Sequence, residues 1–162
     1  MSPEATKDVC SWERIHALVC QLAAQLDAAD YDAVLAVTRG GMIPACLVSE
    51  QLDIREVLSA AVMFYTAEGE TLREPHFFQF PADPLLYGKR ILVVDDVWDS
   101  GKTAVAVKRR VREAGGAPTV AVIHYKPESS RFPDESPEVC AEETSAWIVY
   151  PWELGCDGQD GP

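Results

Sequence analysis

The sequence predicts a single α/β domain in which a doubly wound, mostly parallel sheet is flanked by helices. Its 162 residues are enough for one domain with its own hydrophobic core. The apolar runs typical of strands are continuous rather than alternating, which indicates strands that are buried on both faces. Segments with helical periodicity separate these runs, and such an alternation requires crossover connections between parallel strands.

The first half of the chain predicts two buried strands and two helices. Ser11 is placed to cap a helix, because apolar residues follow it at helical spacing. The run "AVLAV" predicts a strand over residues 33–37, and "TRGGMIPACLVSEQL" predicts a glycine loop that enters a second helix. The run "VLSAAVMFY", residues 57–65, predicts the next strand. The apolar stripe of the first helix consists of Ile15, Leu18, Val19, Leu22 and Leu26.

The second half continues the alternation of strands and helices. "RILVVD", residues 90–95, and "PTVAVIHYK", residues 118–126, predict two further buried strands. Between them, residues 102–114 predict a helix that the following Gly-Gly pair stops. Residues 66–87 predict instead an irregular excursion, because glycine and proline interrupt any regular pattern. The interrupting residues are Gly69, Pro75, Pro81 and Pro84.

Composition restricts the class of function. The formal charge of −12 disfavours nucleic acid and anionic membranes as partners, because phosphate backbones require a basic surface. No apolar stretch reaches the length of a membrane span, and the first residues lack the apolar core of a signal peptide. We expect a cytoplasmic protein, since an odd number of scattered cysteines favours free thiols in a reducing compartment. The cysteines are Cys10, Cys20, Cys46, Cys140 and Cys156.

We expect residues 1–155 to form one domain and residues 156–162 to be a disordered tail. Within the domain, unusual residues gather where three predicted strands end. The segments Thr38–Gly41, Asp95–Thr103 and His124–Lys126 each follow a strand. Because ligands of such sheets bind beyond the carboxyl ends of the strands, the three loops predict one site.

The segment "ILVVDDVWDSGKTA", residues 91–104, ends in the Gly-Lys-Thr of a nucleotide-binding P-loop. A P-loop requires a glycine five residues ahead of that triplet, and this position holds Asp96, whose charge would repel phosphate. We therefore exclude a P-loop. The turn from Asp99 to Thr103 would still hold one phosphate, through helix N–H groups and hydroxyls. Since adjacent carboxylates at Asp95 and Asp96 suit a diol or Mg²⁺, the segment predicts a ribose 5-phosphate site.

This segment closely resembles the signature of type I phosphoribosyltransferases, enzymes that use 5-phosphoribosyl-1-pyrophosphate (PRPP). "VTRGGMIPA", residues 37–45, is similar to the pyrophosphate loop of that family. "KP", residues 126–127, and "AWIVYPWELG", residues 146–155, are similar to the base-binding hood of xanthine-guanine and related 6-oxopurine phosphoribosyltransferases. The resemblance spans residues 11–155. It implies the type I phosphoribosyltransferase fold with a small hood, formed mainly by residues 127–155.

The resemblance also implies which residues bind the donor. Asp95 and Asp96 would bind the ribose hydroxyls, and Asp96 would assist Mg²⁺. Arg39 and the backbone of Gly40 and Gly41 would bind pyrophosphate, next to a cis peptide between Thr38 and Arg39. The ribose 5-phosphate as a whole would lie against Asp95, Asp96, Asp99, Ser100, Gly101, Lys102 and Thr103.

Four residues are implied at the purine. Asp99 would lie near N7 and act as the general base, and Lys126 would donate a hydrogen bond to O6. Trp147 would stack on the ring, and the backbone carbonyl of Ile148 would read the base edge. The residues by themselves leave other interpretations open, since Asp99 could cap a helix, Trp147 could belong to the core and Lys126 could face solvent.

The implied reaction transfers the phosphoribosyl group of PRPP to N9 of guanine, xanthine or hypoxanthine, releases pyrophosphate and serves purine salvage with Mg²⁺ as cofactor. The family also implies a homo-oligomer, a dimer or a tetramer. Three alternatives are a nucleotide-sensing regulatory protein on this fold without transferase activity, an RNA-binding regulator on this fold, and a receiver domain. The negative charge disfavours the RNA-binding regulator. A phosphate turn that follows the acid pair disfavours the receiver domain.

Overall fold

The computed structural model describes residues 6–65 and 71–155. The predicted tail, residues 156–162, and Gly69 lie outside the described residues. No helix in the described part of the chain has the length and apolar character needed to cross a membrane.

A six-stranded sheet forms the centre of the fold, with the strand order β4-β3-β2-β5-β6-β7. All neighbouring strands are parallel except β3 and β4, which form an antiparallel pair. The predicted mostly parallel α/β sheet is therefore confirmed. The strands of this sheet are β2 (Ala33–Val37), β3 (Val57–Tyr65), β4 (Thr71–Gln79), β5 (Arg90–Trp98), β6 (Ala117–Tyr125) and β7 (Val139–Glu143).

Helices cover both faces of this sheet, as the doubly wound prediction requires. Helices α1 (Trp12–Ala23) and α2 (Met42–Leu52) pack on one face, and α3 (Lys102–Glu113) packs on the other. The buried residues of the first face, which we call the α1/α2 cluster, include Ile15, Leu22, Val48, Val94 and Ile123. Those of the second face, the α3 cluster, include Leu35, Val93, Trp98, Val107 and Val111.

The local signals for the helices are borne out with small shifts at their ends. The hydroxyl of Ser11 accepts a hydrogen bond from the backbone N–H of Arg14 (3.1 Å), so Ser11 caps α1 as predicted. That helix ends at Ala23, and Leu26 packs against the α1/α2 cluster from beyond the helix. Gly115 follows α3 with a φ of +85°, a left-handed conformation that favours glycine.

The prediction of an irregular excursion over residues 66–87 is wrong for residues 71–79. Residues Thr71–Gln79 form β4, which pairs with β3 through two register irregularities. Proline is compatible with this assignment because β4 is an edge strand, where Pro75 need not donate to a neighbour on both sides. Phe77 is partly buried where it packs against the α3 cluster.

Three short strands carry no sequence signal strong enough to predict them. Strand β7 lies at the sheet edge beside β6. Strands β1 (Lys7–Val9) and β8 (Trp147–Val149) pair in parallel as a separate two-stranded sheet. This pairing ties the start of the described chain to the segment that was predicted to form the hood.

Candidate active site

A cleft of about 830 Å³ opens at the carboxyl ends of the parallel strands. Two of the three predicted loops, residues 38–41 and 95–103, line it together with residues of the predicted hood. The third loop, residues 124–126, does not line it and joins the second through the contact between Lys126 and Asp99. A second depression of about 640 Å³ lies between α2 and β3 and is lined by none of the predicted site residues. The cleft at the strand ends is lined by Val37, Thr38, Arg39, Gly40, Val62, Asp95, Asp96, Thr103, Trp147, Val149, Trp152 and Glu153.

Asp95 and Asp96 lie where β5 departs from regular pleating. Val94 and Val97 both contact the α1/α2 cluster, whereas Trp98 belongs to the α3 cluster. In a regular strand the side chains of Val94 and Trp98 would lie on the same face of the sheet. They lie on opposite faces, so the in-and-out alternation of side chains along β5 is interrupted at Asp95 and Asp96. Carboxylates satisfy the backbone here: Asp95 Oδ1 accepts from the N–H of Asp96 (2.9 Å), and Asp96 Oδ1 accepts from the N–H of Val97 (2.7 Å).

The acid pair carries unbalanced negative charge. Burial raises the pKa of the Asp95 carboxyl well above its usual range, and the charge of Asp96 raises it further. Burial raises the pKa of Asp96 to about 6, although hydrogen bonds from Asp95 and from the N–H of Val97 partly offset the effect. Among the lysine and arginine side chains that the structure describes, none has a recorded ion pair with either acid. The pair is thus prepared for a cation or for hydrogen-bond donors from outside the chain.

The predicted pyrophosphate loop lies directly against these acids. A side chain at Gly40 would collide with the Asp96 carboxylate, and one at Gly41 would approach the backbone carbonyl oxygen of Val94 to 2.5 Å. The peptide between Thr38 and Arg39 is cis, as the family resemblance implies. Glycine at these two positions therefore allows the loop and the acid pair to share one wall of the cleft, with Arg39 exposed beside them.

The predicted phosphate turn begins α3. Gly101, not Asp99, is the N-cap residue of this helix, and it has no side chain that could accept a hydrogen bond from the first helical turn. Its φ of +82° and its contact with the Trp98 indole both favour glycine, since a Cβ would lie 2.5 Å from Trp98 Nε1. The Lys102 ammonium lies 5.7 Å from the centre of the Phe64 ring, toward the end of β3. The Lys102 N–H donates to the Ser100 hydroxyl at 3.4 Å, and the other N–H groups at the start of the helix can bind an anion. The Asp99 carboxylate does not cap the helix and can serve another role.

That carboxylate is paired with the predicted purine-binding lysine. Lys126 Nζ donates to Asp99 Oδ2 at 3.2 Å, and the same ammonium lies 5.5 Å from the centre of the Trp147 ring. Lys126 is only 8% exposed, so it does not face solvent freely, whereas Trp147 is 59% exposed and is not a core residue. Ile148 is buried against the α1/α2 cluster. Lys126, Asp99 and Trp147 therefore lie together, and Trp147 lines the same cleft as the acid pair.

Two further residues support the cleft. His124 belongs to a predicted site loop and Tyr150 to the predicted hood, but no individual role was predicted for either. The Tyr150 hydroxyl donates to the backbone carbonyl of Asp96 (3.1 Å) and lies 2.8 Å from His124 Nδ1. Burial lowers the pKa of His124 to about 4 and raises that of Tyr150. Neither residue could be connected with Asp96 by sequence spacing, because the contact between Tyr150 and Asp96 joins residues 54 positions apart.

Glu153 was also not predicted and lines the same cleft. Its carboxylate accepts a hydrogen bond from the backbone N–H of Tyr150 at 2.9 Å, and its charge contributes to the raised pKa of Asp96. The negative potential of the cleft therefore comes from both the strand end and the predicted hood.

Solved structures of similar proteins share this architecture. A purine phosphoribosyltransferase from Pyrococcus horikoshii is 30% identical, with a TM-score of 0.79 over 92% of this chain and 95% of that chain. A hypothetical protein from Neisseria gonorrhoeae with bound ppGpp is 29% identical, with a TM-score of 0.79 over 93% of this chain and 91% of that chain.

The sequence comparisons agree with the structural ones. The xanthine-guanine phosphoribosyltransferase of Roseobacter denitrificans is 35% identical over 153 residues, which are 89% of this chain and 84% of that protein. Residues 7–159 match the model of the phosphoribosyl transferase domain. The resemblance first drawn from the acid pair and the glycine turns is confirmed, and the chain belongs to the phosphoribosyltransferase family.

Proposed function

We propose that the protein transfers the 5-phosphoribosyl group of PRPP to N9 of a 6-oxopurine base and releases pyrophosphate, in purine salvage. The observation that carries the proposal is the grouping of Lys126, Asp99 and the exposed Trp147 ring beside the acid pair. A cation and a carboxylate at one aromatic surface suit a base that offers both an oxygen acceptor and a ring proton. The similarity to xanthine-guanine phosphoribosyltransferases supports the same substrate class.

In this proposal the donor lies along the inner wall of the cleft. The hydroxyls of its ribose donate to Asp95 and Asp96, and its 5′-phosphate binds the start of α3, from Ser100 to Thr103. Pyrophosphate lies on the loop of Arg39, Gly40 and Gly41, where a guanidinium and backbone N–H groups stabilise the charge of the leaving group.

The acid pair also fits Mg²⁺, the ion that phosphoribosyltransferases generally use with PRPP. The available donors are carboxylate oxygens, which this hard cation prefers, and Asp96 is the proposed ligand. No group of three or more acidic, histidine or cysteine side chains in the described ranges could hold a metal alone, so PRPP oxygens would complete its coordination. When bound, Mg²⁺ supplies positive charge that offsets the charge developing on pyrophosphate.

The base lies on the opposite wall, stacked on Trp147, with its O6 accepting from Lys126 and its edge read by the carbonyl of Ile148. Asp99 takes the proton of the imidazole ring as the N9–C1′ bond forms. The bond from C1′ to pyrophosphate breaks at the same stage, and its electron pair leaves with the pyrophosphate. Positioning and charge stabilisation supply most of the rate enhancement.

A panel of labelled bases with Mg²⁺–PRPP tests the proposal. We expect a nucleotide and pyrophosphate from guanine, xanthine or hypoxanthine, and none from adenine, whose 6-amino group cannot accept from Lys126. Product from adenine alone would contradict the assignment of Lys126. The variant Arg39→Ala, compared with the exposed Arg55→Ala outside the cleft, should lose about 10²-fold in kcat with the accepted base.

A nucleotide-sensing protein without transferase activity is the second candidate. The observation that favours it is the Neisseria gonorrhoeae structure with bound ppGpp, which matches 93% of this chain. Calorimetry with ppGpp, together with the base panel, separates the two functions. Binding of ppGpp with no pyrophosphate release from any base would support the sensor and reject the transferase.

A homo-oligomer, a dimer or tetramer, in the cytoplasm completes the proposal, with neither nucleic acid nor membrane as a partner. Apolar side chains are exposed around α2, β3 and β4, a surface that a second copy could cover. They are Met42, Val57, Met63 and Phe78, which are 43% to 61% exposed. Sedimentation velocity tests the assembly, and a monomer at all concentrations would reject it.

A further inference from the structure

The carbonyl group of Asp96 is held by a side chain from another part of the chain. Because β5 departs from regular pleating at the acid pair, the neighbouring N–H groups of Asp96 and Val97 bind carboxylates. The carbonyl oxygen of Asp96 accepts instead from the Tyr150 hydroxyl at 3.1 Å. Tyr150 is 2% exposed, so this hydrogen bond is shielded from water.

The direction of each proton in this network follows from the chemistry of the groups. A carbonyl has no proton to donate, so Tyr150 must donate to Asp96. The hydroxyl has only that proton, and His124 must therefore donate from Nδ1 across the 2.8 Å contact. A neutral His124 then carries no proton on Nε2, the atom that is buried without a partner among the described residues.

Tyr150 itself is fixed on three sides. Its ring stacks on the Trp152 ring, with the centres 4.6 Å apart and the planes 7° from parallel. Its backbone N–H donates to Glu153, and its hydroxyl lies against His124, a residue with no exposed surface. The hydroxyl therefore cannot follow Asp96 if that backbone moves.

We propose that Tyr150 and His124 are positioning residues for Mg²⁺–PRPP: they fix the backbone of Asp96 and thereby the direction of its carboxylate. The peptide plane that Tyr150 holds is the one between Asp96 and Val97. Since Asp96 Oδ1 is already bound to the N–H of that plane, rotation of the plane would redirect the carboxylate away from the cleft. The inference rests on the proposed function, because it takes Mg²⁺–PRPP as the ligand of Asp96.

The variant Tyr150→Phe removes the hydroxyl and keeps the stacked ring. We expect the dissociation constant of Mg²⁺–PRPP, measured by calorimetry, to rise about tenfold, the effect of leaving a buried carbonyl unsatisfied. The KM of the purine should not change, because the removed contact lies on the donor side. The matched control is Tyr31→Phe, since Tyr31 is partly buried against the α1/α2 cluster at the other end of the sheet.

A second pair of variants tests His124. His124→Phe should weaken Mg²⁺–PRPP binding in the parent and have no further effect in Tyr150→Phe, because its action passes through the hydroxyl. His124→Asn retains an N–H donor near the position of Nδ1 and should restore part of the affinity. Thermal unfolding of each variant separates these effects from loss of folded protein.

The outcomes are distinct. Unchanged Mg²⁺–PRPP affinity in folded Tyr150→Phe overturns the inference, and so does a shift in purine KM without a shift in PRPP affinity. Additive effects of His124→Phe and Tyr150→Phe remove His124 from the network. A parent that binds Mg²⁺–PRPP without transferring the group overturns the proposed activity alone, whereas a parent that does not bind it overturns both proposals.

Discussion

Strand β5 has acidic residues near both of its ends, and the fold treats them in opposite ways. At the amino end, the carboxylate of Asp32 accepts three hydrogen bonds from Arg90, two of them from the guanidinium and one from the backbone. At the carboxyl end, Asp95 and Asp96 accept from backbone N–H groups, and no described lysine or arginine side chain pairs with either. One end is neutralised within the chain, and the other is left negative.

The pKa values follow this difference. Hydrogen bonds from the Arg90 side chain lower the pKa of Asp32 to about 2. Burial raises the pKa of Asp96 to about 6 and that of Asp95 well above its usual range. Charge that a protein leaves unbalanced costs stability, so its presence indicates a ligand that balances it. The carboxyl end is where this ligand is proposed to bind.

The largest expected effect comes from Asp99, whose partner is a lysine that the substrate is expected to share. Asp99→Asn should lower kcat by about 10²- to 10⁴-fold and leave the dissociation constant of Mg²⁺–PRPP nearly unchanged, because only the proton acceptor is lost. Steady-state kinetics and calorimetry measure the two quantities. The control is Asp134→Asn at an exposed position outside the cleft. Equal kinetics in Asp99→Asn and the parent would remove Asp99 from the role of general base.

Lys126 should have a smaller effect, confined to the base. Lys126→Met should lower kcat/KM for the accepted 6-oxopurine by about 10- to 100-fold, the usual contribution of a hydrogen bond from a charged donor. The affinity for Mg²⁺–PRPP should not fall. Lys89→Met removes a lysine that pairs with Glu56 at the opposite end of the sheet, and it should leave kcat/KM unchanged. An equal loss in both variants would contradict the difference between the two ends.

Asp95→Asn should stabilise the ligand-free protein, because it removes charge from the end that is not neutralised. The variant retains an Oδ1 that can accept the N–H of Asp96. Since the folded pKa of Asp95 is raised, the parent loses stability as pH rises from the ordinary value of about 4 through the folded pKa. The gain in thermal midpoint should therefore be about 2–4 °C at pH 8 and vanish near pH 4. A thermal midpoint of Asp95→Asn below that of the parent at pH 8 would contradict the predicted stabilisation.

The smallest effect belongs to Asp32. Asp32→Asn should leave kcat and both KM values unchanged and should destabilise only slightly, because exposed ion pairs contribute little. The contribution of Asp32 to stability changes with pH in the direction opposite to that of Asp95. A lowered folded pKa gives stability that is present above the ordinary pKa and is lost as pH falls toward 2. Thermal midpoints of Asp32→Asn and the parent, measured from pH 2 to pH 8, should converge as the pH falls toward 2.

The sequence was most informative where the signal is local. The continuous apolar runs of β2, β5 and β6 predicted buried parallel strands, and the order of strands and helices predicted layers on both faces. The donor segment is also local, since its acids, phosphate turn and proposed base all lie within residues 95–103. A short pattern of this kind can be read because a strand end and a helix start place consecutive residues at one point.

The errors and omissions come from contacts between distant segments. Strand β4 was predicted as an excursion because Pro75 breaks a local pattern, and only its place at the sheet edge makes it a strand. Asp99 could have capped α3 until the structure placed Gly101 there and joined Asp99 to Lys126, 27 positions away. Tyr150 and His124 lie in segments that were predicted to surround the site, but their contact with Asp96 gave no signal because it joins different elements.

The sequence by itself determined the fold class, the family and the composition of the donor segment, because these depend on short-range patterns of burial and turn formation. The tertiary structure decided which charges are neutralised and which are not. Asp32 and Asp96 are the same residue type, and their pKa values differ because one lies beside Arg90 and the other is buried beside Asp95. Desolvation and charge pairing depend on everything that surrounds a side chain, and only the folded chain brings those surroundings together.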